Sequence, residues 1–349
     1  MLRIDGDECH EFLMKKNSPK LAFDAKKDFD KWRKELRKKL AELTGYEKIA
    51  ENACPLSITV EEDVKTDGYR RVRFVFQSEY GSNVPCYLLI PDTGKEKYPL
   101  AILLQGHTSG FHLSVGLPKP TDGRFIGGEF PERNFFGVQA VREGYCALCI
   151  EQRALGERMT RRYDPSYRMC DFVALGAILM GRTVIGERAW DVSRAIDAVE
   201  ANFGMVDTSN IVLAGHSGGG TATFYTACLD DRIKVCAVAG AFCTYDLSIL
   251  SVYHCPCNYI PSAYEYFDMG DLTGLIAPRR LIVCSGDTDT IFPRKGVETA
   301  YKTAERVFEK AGVPDNCRLV RMPCGHEWRA SMIWKAINEE TEKAAKENK

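Results

Sequence analysis

The sequence predicts an α/β protein with a mostly parallel central sheet and helices on both faces. Two observations carry this. Short apolar runs of strand length recur along the chain, and most end in glycine or a polar residue. Between several of them lie longer segments whose apolar residues repeat at helical spacing. Strands alternating with helices imply right-handed crossovers, and hence a parallel sheet covered on both sides.

The elements follow in order. Residues 21–43 (LAFDAKKDFDKWRKELRKKLAEL) form an amphipathic pattern with Phe29, Trp32 and Leu36 on or near its apolar face. YRRVRFVFQS and NVPCYLLIP sit close together and are expected to pair as an antiparallel edge. YPLAILLQGH, GYCALCIE, SNIVLAGHS, KVCAVAGAF, RRLIVCSGD and CRLVRMPCGH supply the remaining strands. ERAWDVSRAIDAVEANF, GGGTATFYTACL and GVETAYKTAERVFEKAG supply helices between them. Two connections are long, Thr108 to Arg142 and Gln152 to Gly181. Both follow strand ends, on the side where open α/β sheets bind ligands.

Composition narrows the function classes. Lys plus Arg number 47 against 48 Asp plus Glu, so no charge excess favours nucleic acid or an acidic membrane surface. No apolar run approaches membrane-span length, and the first twenty residues lack an apolar core behind a basic start. A cytoplasmic location is the expectation. Of the 14 cysteines, Cys146, Cys149, Cys236 and Cys284 lie in strand-like apolar runs, which fits a reducing compartment better than a disulfide framework. Cys146 and Cys149 form a C-x-x-C, but residues three apart on a strand point to opposite faces. His254-Cys255-Pro256-Cys257 has metal-like residue types, yet no second pair completes a four-ligand set in the sequence. It reads as a rigid pocket-lining loop, with no metal and no cofactor expected.

Residues 215–219 read Gly-His-Ser-Gly-Gly, between a buried-strand run and a helix start. A strand, tight turn and helix with this pattern hold a serine hydroxyl exposed at the sheet's end, which marks Ser217 as a nucleophile. The flanking glycines are required because Cβ atoms at Gly215 and Gly219 would collide with neighbouring backbone. A serine needs a positioned base. His326, in CGHEW after the last strand, fits the order nucleophile, acid, base. The acid belongs after the strand LIVCSG, where Asp287 and Asp289 both stand. Oxyanion donors are expected from the Gly218 N–H and from the loop Gln105-Gly106-His107-Thr108, with the His107 N–H as the second donor. The His107 side chain could instead act as a hydrogen-bonding group behind the site.

QGHTSG, EQRALGER, GERAWDVSRAID, GHSGGGTATF, HCPCNYIP, GLIAPRRLIVCSGDTD and CGHEW together resemble bacterial α/β-hydrolases of the acetyl-xylan-esterase and dienelactone-hydrolase-like group. The resemblance covers most of the chain from about residue 60. It implies an α/β-hydrolase fold, with an N-terminal helical extension (1–60) packed on a catalytic domain (61–349). It also implies a triad of Ser217, Asp289 and His326. Asp289 matches the G-x-x-D-x-x-x-P of many such enzymes through Gly286 and Pro293, which leaves Asp287 to form a turn by bonding local backbone. Some members take the acid from the earlier strand, where Asp246 stands. Gln105-Gly106 replaces the more usual His-Gly, and a serine nucleophile excludes dienelactone hydrolysis proper.

The expected activity is ester hydrolysis through an acyl-enzyme, on acetylated carbohydrate or similar small esters. The alternatives are a serine peptidase of the oligopeptidase type, for whose extra domain the first 60 residues are too short, and an inactive binding protein on the same fold. Gln105, Arg153 and Tyr259 are candidate substrate contacts. Arg153 is equally read as a structural partner of Glu151 or another acid. Trp190 and Asp191 read as packing and loop anchors. Phe111, Tyr163, Tyr167, Tyr253, Tyr259 and Tyr264 are candidates for an aromatic wall.

Overall fold

The computed structural model describes residues 4–108, 110–119, 130–160 and 169–347. Helices α1 (Glu8–Lys16), α2 (Phe29–Thr44) and α3 (Tyr46–Glu51) precede strand β1 (Ile58–Lys65). The amphipathic pattern seen from residue 21 becomes helical only at Phe29, because the Asp28 side chain accepts the Lys31 N–H at 2.8 Å and caps the helix there. The preceding residues still pack, with Phe23 edge-on to Trp32 at 5.2 Å. Trp32, Leu36 and Leu40 are buried in the main core, and Arg33 donates to the Gly274 and Ala277 carbonyls.

Strands β2 (Tyr69–Glu79) and β3 (Ser82–Pro91) pair antiparallel as expected. β1 adds a further antiparallel strand outside β2. Its side chains are largely exposed, so apolar alternation does not reveal it. Cross-strand ion pairs hold it instead: Arg70 to Asp63, Arg71 to Glu62 and Arg73 to Glu61.

β4 (Tyr98–Leu104) leads through the short helix α4 (Pro131–Asn134) and α5 (Phe136–Arg142) to β5 (Cys146–Ile150). Then come α6 (Met169–Leu179), α7 (Val184–Asn202), β6 (Val206–His216), α8 (Gly218–Leu229) and β7 (Ile233–Ala239). The short helix α9 (Met269–Leu272), β8 (Arg280–Gly286), α10 (Arg294–Lys310), β9 (Cys317–Met322) and α11 (Ala330–Glu347) complete the chain order. Among the described residues nine strands form one sheet in the order β1-β2-β3-β5-β4-β6-β7-β8-β9, parallel from β5 to β9.

Two apolar layers cover the sheet. One buries Leu36 of α2, Ile185 and Val192 of α7, Ala222 of α8 and Val297 of α10. The other buries Phe136 and Ala140 of α5 with Ile333 and Ile337 of α11. Cys146 falls in the first layer and Cys149 in the second, so they do face apart across β5. All 14 cysteines are free of disulfides. Among the described residues no helix is long and apolar enough to cross a membrane.

Candidate active site

The loops that leave the C-terminal ends of β4, β5, β6, β7, β8 and β9 meet at one edge of the sheet. Ser217 sits there, between β6 and α8, with φ +55° and ψ −124°. A serine at positive φ carries a strain of about 1–3 kcal/mol and needs surrounding structure to enforce it. Its N–H donates to the Ala239 carbonyl at 2.9 Å and its own carbonyl accepts the Thr221 N–H at 2.8 Å. The flanking glycines are sterically obligatory. A Cβ on Gly215 would lie 2.5 Å from the Gly219 carbonyl oxygen, and one on Gly219 would lie 2.0 Å from that of Leu104.

The turn after β4 runs directly beside this serine. A Cβ on Gly106 would come 3.1 Å from both the Ser217 Cβ and the His216 carbonyl oxygen. The His107 ring lies over Gly218, 2.8 Å from where a Cβ there would stand. The Gln105 side-chain amide points away from the pocket and donates to Glu151 at 3.0 Å, while the Gln105 backbone carbonyl accepts from the Gln152 side chain. Glu151 also receives the Phe111 and Glu157 N–H groups, and burial pushes its carboxyl up to about 8. Glu151 thus braces the turn after β4 from below.

His326 follows β9, and its Nδ1 is 2.8 Å from Oδ2 of Asp289, which follows β8. The Asp289 side chain is almost fully buried, and its other oxygen accepts the Ile291 and Phe292 N–H groups at 2.8 and 3.1 Å. Burial alone would raise this carboxyl. The hydrogen bond and charge of His326 together with the two N–H donors outweigh it and hold the pKa below the ordinary range. Asp287 stands elsewhere. Its carboxylate pairs with Arg321 on β9 rather than bonding local backbone, which corrects the turn role expected for it. The His326 ring stacks on Phe292 at 5.9 Å and lies tilted against His216 at 4.8 Å.

Ser217, Gly218, His107 and His326 all line one pocket of about 560 Å³. That volume is typical of small-ligand sites, about 300–1,000 Å³. Ala154, Leu155, Met159, Ile291 and Phe292 give it an apolar wall.

Other candidates are placed differently. Arg153 does not line the pocket. Its guanidinium is held by Glu79 at 2.7 Å, Asp191 at 2.8 Å and Glu187 at 3.4 Å, so the substrate-contact reading gives way to a structural one, with acids other than Glu151. Asp191 also takes Arg158 and the Ser78 hydroxyl, and Trp190 donates to the Ser78 carbonyl, as expected of anchors. Gln105 is buried and occupied, and Tyr259 spends its hydroxyl on the Ile249 carbonyl at 2.9 Å, so neither reaches the pocket. Of the aromatic-wall candidates among the described residues, only Tyr253 lines the cavity. Phe111 packs on Tyr87 and Tyr264 packs on Tyr245, while Tyr163 and Tyr167 lie outside the described residues.

His254 lines the pocket, as expected of the loop 254–257, and pairs with the Ser248 hydroxyl at 3.0 Å. Two contributors escaped the sequence reading. Asn258 lines the pocket and accepts the Thr221 hydroxyl at 2.7 Å, which ties the loop after β7 to the first turn of α8. The second is Cys170, at the start of α6. With His107, Cys255 and Cys257 it forms a set whose potential ligand atoms all lie within 4.8 Å of one another. The expectation that nothing completes the Cys255–Cys257 pair counted neighbours in sequence; in space, residues 85 and 150 positions away complete it.

Similarity to known proteins agrees with this architecture. The chain is 26% identical over 245 residues to "Putative hydrolase YtaP" of Bacillus subtilis (strain 168), covering 69% of this chain and 77% of that one. Its fold is similar to that of a "putative acetyl xylan esterase" from Bacteroides fragilis NCTC 9343, with TM-score 0.79, 16% identity and coverage of 97% and 95% of the two chains. It is also similar to a glucuronoyl esterase from Solibacter usitatus, with TM-score 0.63, 19% identity and coverage of 93% and 96%. The Abhydrolase family model matches residues 7–320, across both the N-terminal helices and the sheet, and the chain belongs to that family.

Proposed function

We propose that the chain is a serine carboxylic-ester hydrolase acting on short acyl esters of carbohydrates or similarly small alcohols. One observation carries the reading: a serine held at positive φ at a strand–helix turn opens into the same pocket as a histidine whose far nitrogen is bonded to a buried carboxylate.

In this reading His326 takes the Ser217 proton as the serine oxygen adds to the ester carbonyl. Asp289 fixes the imidazole tautomer with Nδ1 protonated and stabilises the imidazolium. The tetrahedral oxyanion is met by the Gly218 and His107 N–H groups, and by the partial positive charge at the start of α8. Collapse breaks the bond to the alcohol, which leaves with the proton from His326. Water then attacks the acyl-serine, again giving its proton to His326, and the acid departs as Ser217 is regenerated. The names of the solved neighbours, an acetyl xylan esterase and a glucuronoyl esterase, support carbohydrate esters as the substrate class.

The test is hydrolysis of p-nitrophenyl esters from acetate to octanoate by wild type and Ser217→Ala, followed by acetylated xylo-oligosaccharides. Preference for acetate, with turnover in the variant lower by on the order of a million-fold, is the expected result. Faster turnover of peptides than of esters would favour an oligopeptidase. Failure of Ser217 to react with a fluorophosphonate would remove the nucleophile assignment altogether.

A further inference from the structure

We propose that His107, Cys170, Cys255 and Cys257 bind a zinc ion that staples together two loops and a helix start at the mouth of the pocket. No other set of this kind lies among the described residues. The donors are three thiols and one imidazole, the combination of a closed structural zinc site. Tetrahedral bonds of about 2.3 Å to sulfur and 2.0 Å to nitrogen place ligand atoms roughly 3.5–3.8 Å apart. The four atoms here already lie within 4.8 Å of one another, with the His107 Nε2 3.2 Å from the Cys257 sulfur.

The surroundings point independently to negative charge at these sulfurs. Arg188, on α7, is buried at 2% exposure. Its only polar partners among the described residues are the Arg153 carbonyl and two of these sulfurs, Cys257 at 3.8 Å and Cys170 at 3.6 Å. No carboxylate pairs with it among the described residues, and a buried guanidinium without a counter-anion is costly. Zinc with three thiolates and a neutral imidazole carries one net negative charge, which Arg188 neutralises. The remaining donors aim at the sulfurs as well. The Cys257 N–H donates to the Cys255 sulfur at 3.5 Å, and the Asn258 amide donates to the Cys257 sulfur at 3.8 Å. Donors of this kind orient metal thiolates.

The staple has a consequence for the pocket. It joins the turn after β4, the start of α6 and the loop after β7, which lie far apart in sequence. It also holds the His107 ring over Gly218, beside Ser217. All four ligand positions are filled by protein, so the ion holds geometry and takes no part in bond cleavage.

The experiment measures metal, so it does not depend on the ester reading. The full chain is expressed with zinc, purified without chelator under reducing conditions, and analysed by mass spectrometry for metals. About one zinc per chain is expected. Cobalt(II) replacement should give thiolate-to-metal charge-transfer bands and the intense visible bands of tetrahedral cobalt. Alkylation should spare Cys170, Cys255 and Cys257 in the zinc form and reach them after chelation. Cys257→Ser should retain less than about a tenth of the metal, while Cys9→Ser, on the exposed face of α1, should retain it all. Wild type that holds no zinc and takes up neither zinc nor cobalt after reduction would overturn the proposal. So would a disulfide mapped between any two of the three cysteines in freshly prepared protein, or full metal content in Cys257→Ser. If that variant is insoluble, the cobalt spectrum and the alkylation pattern of wild type decide alone.

Discussion

The rings of His216 and His326 lie against each other with centroids 4.8 Å apart and planes tilted by 40°. A proton on one repels a proton on the other. His216, the residue before the serine, has its Nε2 buried without a hydrogen-bond partner among the described residues. Burial, and secondarily the charge of His326, lower its pKa to about 3. The unfolded chain binds a proton at this residue below about pH 6.5, whereas the folded chain does so only near pH 3. The neutral ring therefore costs nothing at pH 8, and it destabilises the fold progressively as pH falls below 6.5, by roughly 2 kcal/mol at pH 5. His216→Gln should remove this dependence. Urea unfolding of both proteins at pH 5 and pH 7.5 checks it. The variant should compare more favourably with wild type at pH 5, and an equal difference at both pH values would disprove the linkage.

Asp289 and Asp287 sit two residues apart and face different partners, His326 and Arg321. Asp289→Asn keeps the size of the side chain but favours the wrong imidazole tautomer, so turnover should fall by on the order of ten-thousand-fold while the fold persists. Asp287→Asn breaks a partly exposed ion pair, which should cost under about 1 kcal/mol and leave turnover near wild type. Steady-state kinetics and melting curves of the two variants separate the roles. Near-normal turnover in Asp289→Asn would move attention to Asp246.

The strands from β3 to β8 were legible because they are largely buried on both faces and read as continuous apolar runs, whereas β2 and β9 alternate buried with half-buried residues. β1 was not, because an exposed edge strand held by Arg–carboxylate pairs carries no apolar alternation. Ser217 and His326 stand out because a strand–turn–helix serine and a histidine after the last strand leave local patterns. Arg153 left no such pattern: its three acids come from β2 and α7, and nothing in sequence links them to it. Cys170 was hidden for the same reason, since its neighbours lie 63, 85 and 87 positions away. Local chemistry is readable along a chain, whereas clusters assembled by topology are not.

Arg153 offers a direct contrast between the two readings of its role. A substrate-binding arginine would raise KM when removed and leave the fold intact. Arg153→Met instead leaves Glu79, Glu187 and Asp191 buried together with less compensating charge. The expected cost is about 3–5 kcal/mol of stability. A lowered melting temperature with near-normal KM in the surviving folded enzyme is the predicted outcome. A raised KM with an unchanged melting temperature would restore Arg153 as a substrate contact.

Gly106→Ala tests the oxyanion role proposed for the turn after β4 without removing a functional group. An added methyl would sit 3.1 Å from both the Ser217 Cβ and the His216 carbonyl oxygen, so the turn after β4 must retreat by a few tenths of an ångström. That is small enough to fold, in contrast to Gly219→Ala, whose methyl would meet the Leu104 carbonyl oxygen at 2.0 Å. The retreat carries the His107 N–H away from the position a tetrahedral oxyanion would occupy. Misplacement of this kind lowers kcat on the order of a hundredfold with a smaller change in KM. Gly106→Ala should therefore react more slowly with a p-nitrophenyl ester and with a fluorophosphonate, since both add an oxyanion at the same place. An unchanged kcat and labelling rate would mean that the turn after β4 does not supply the second donor.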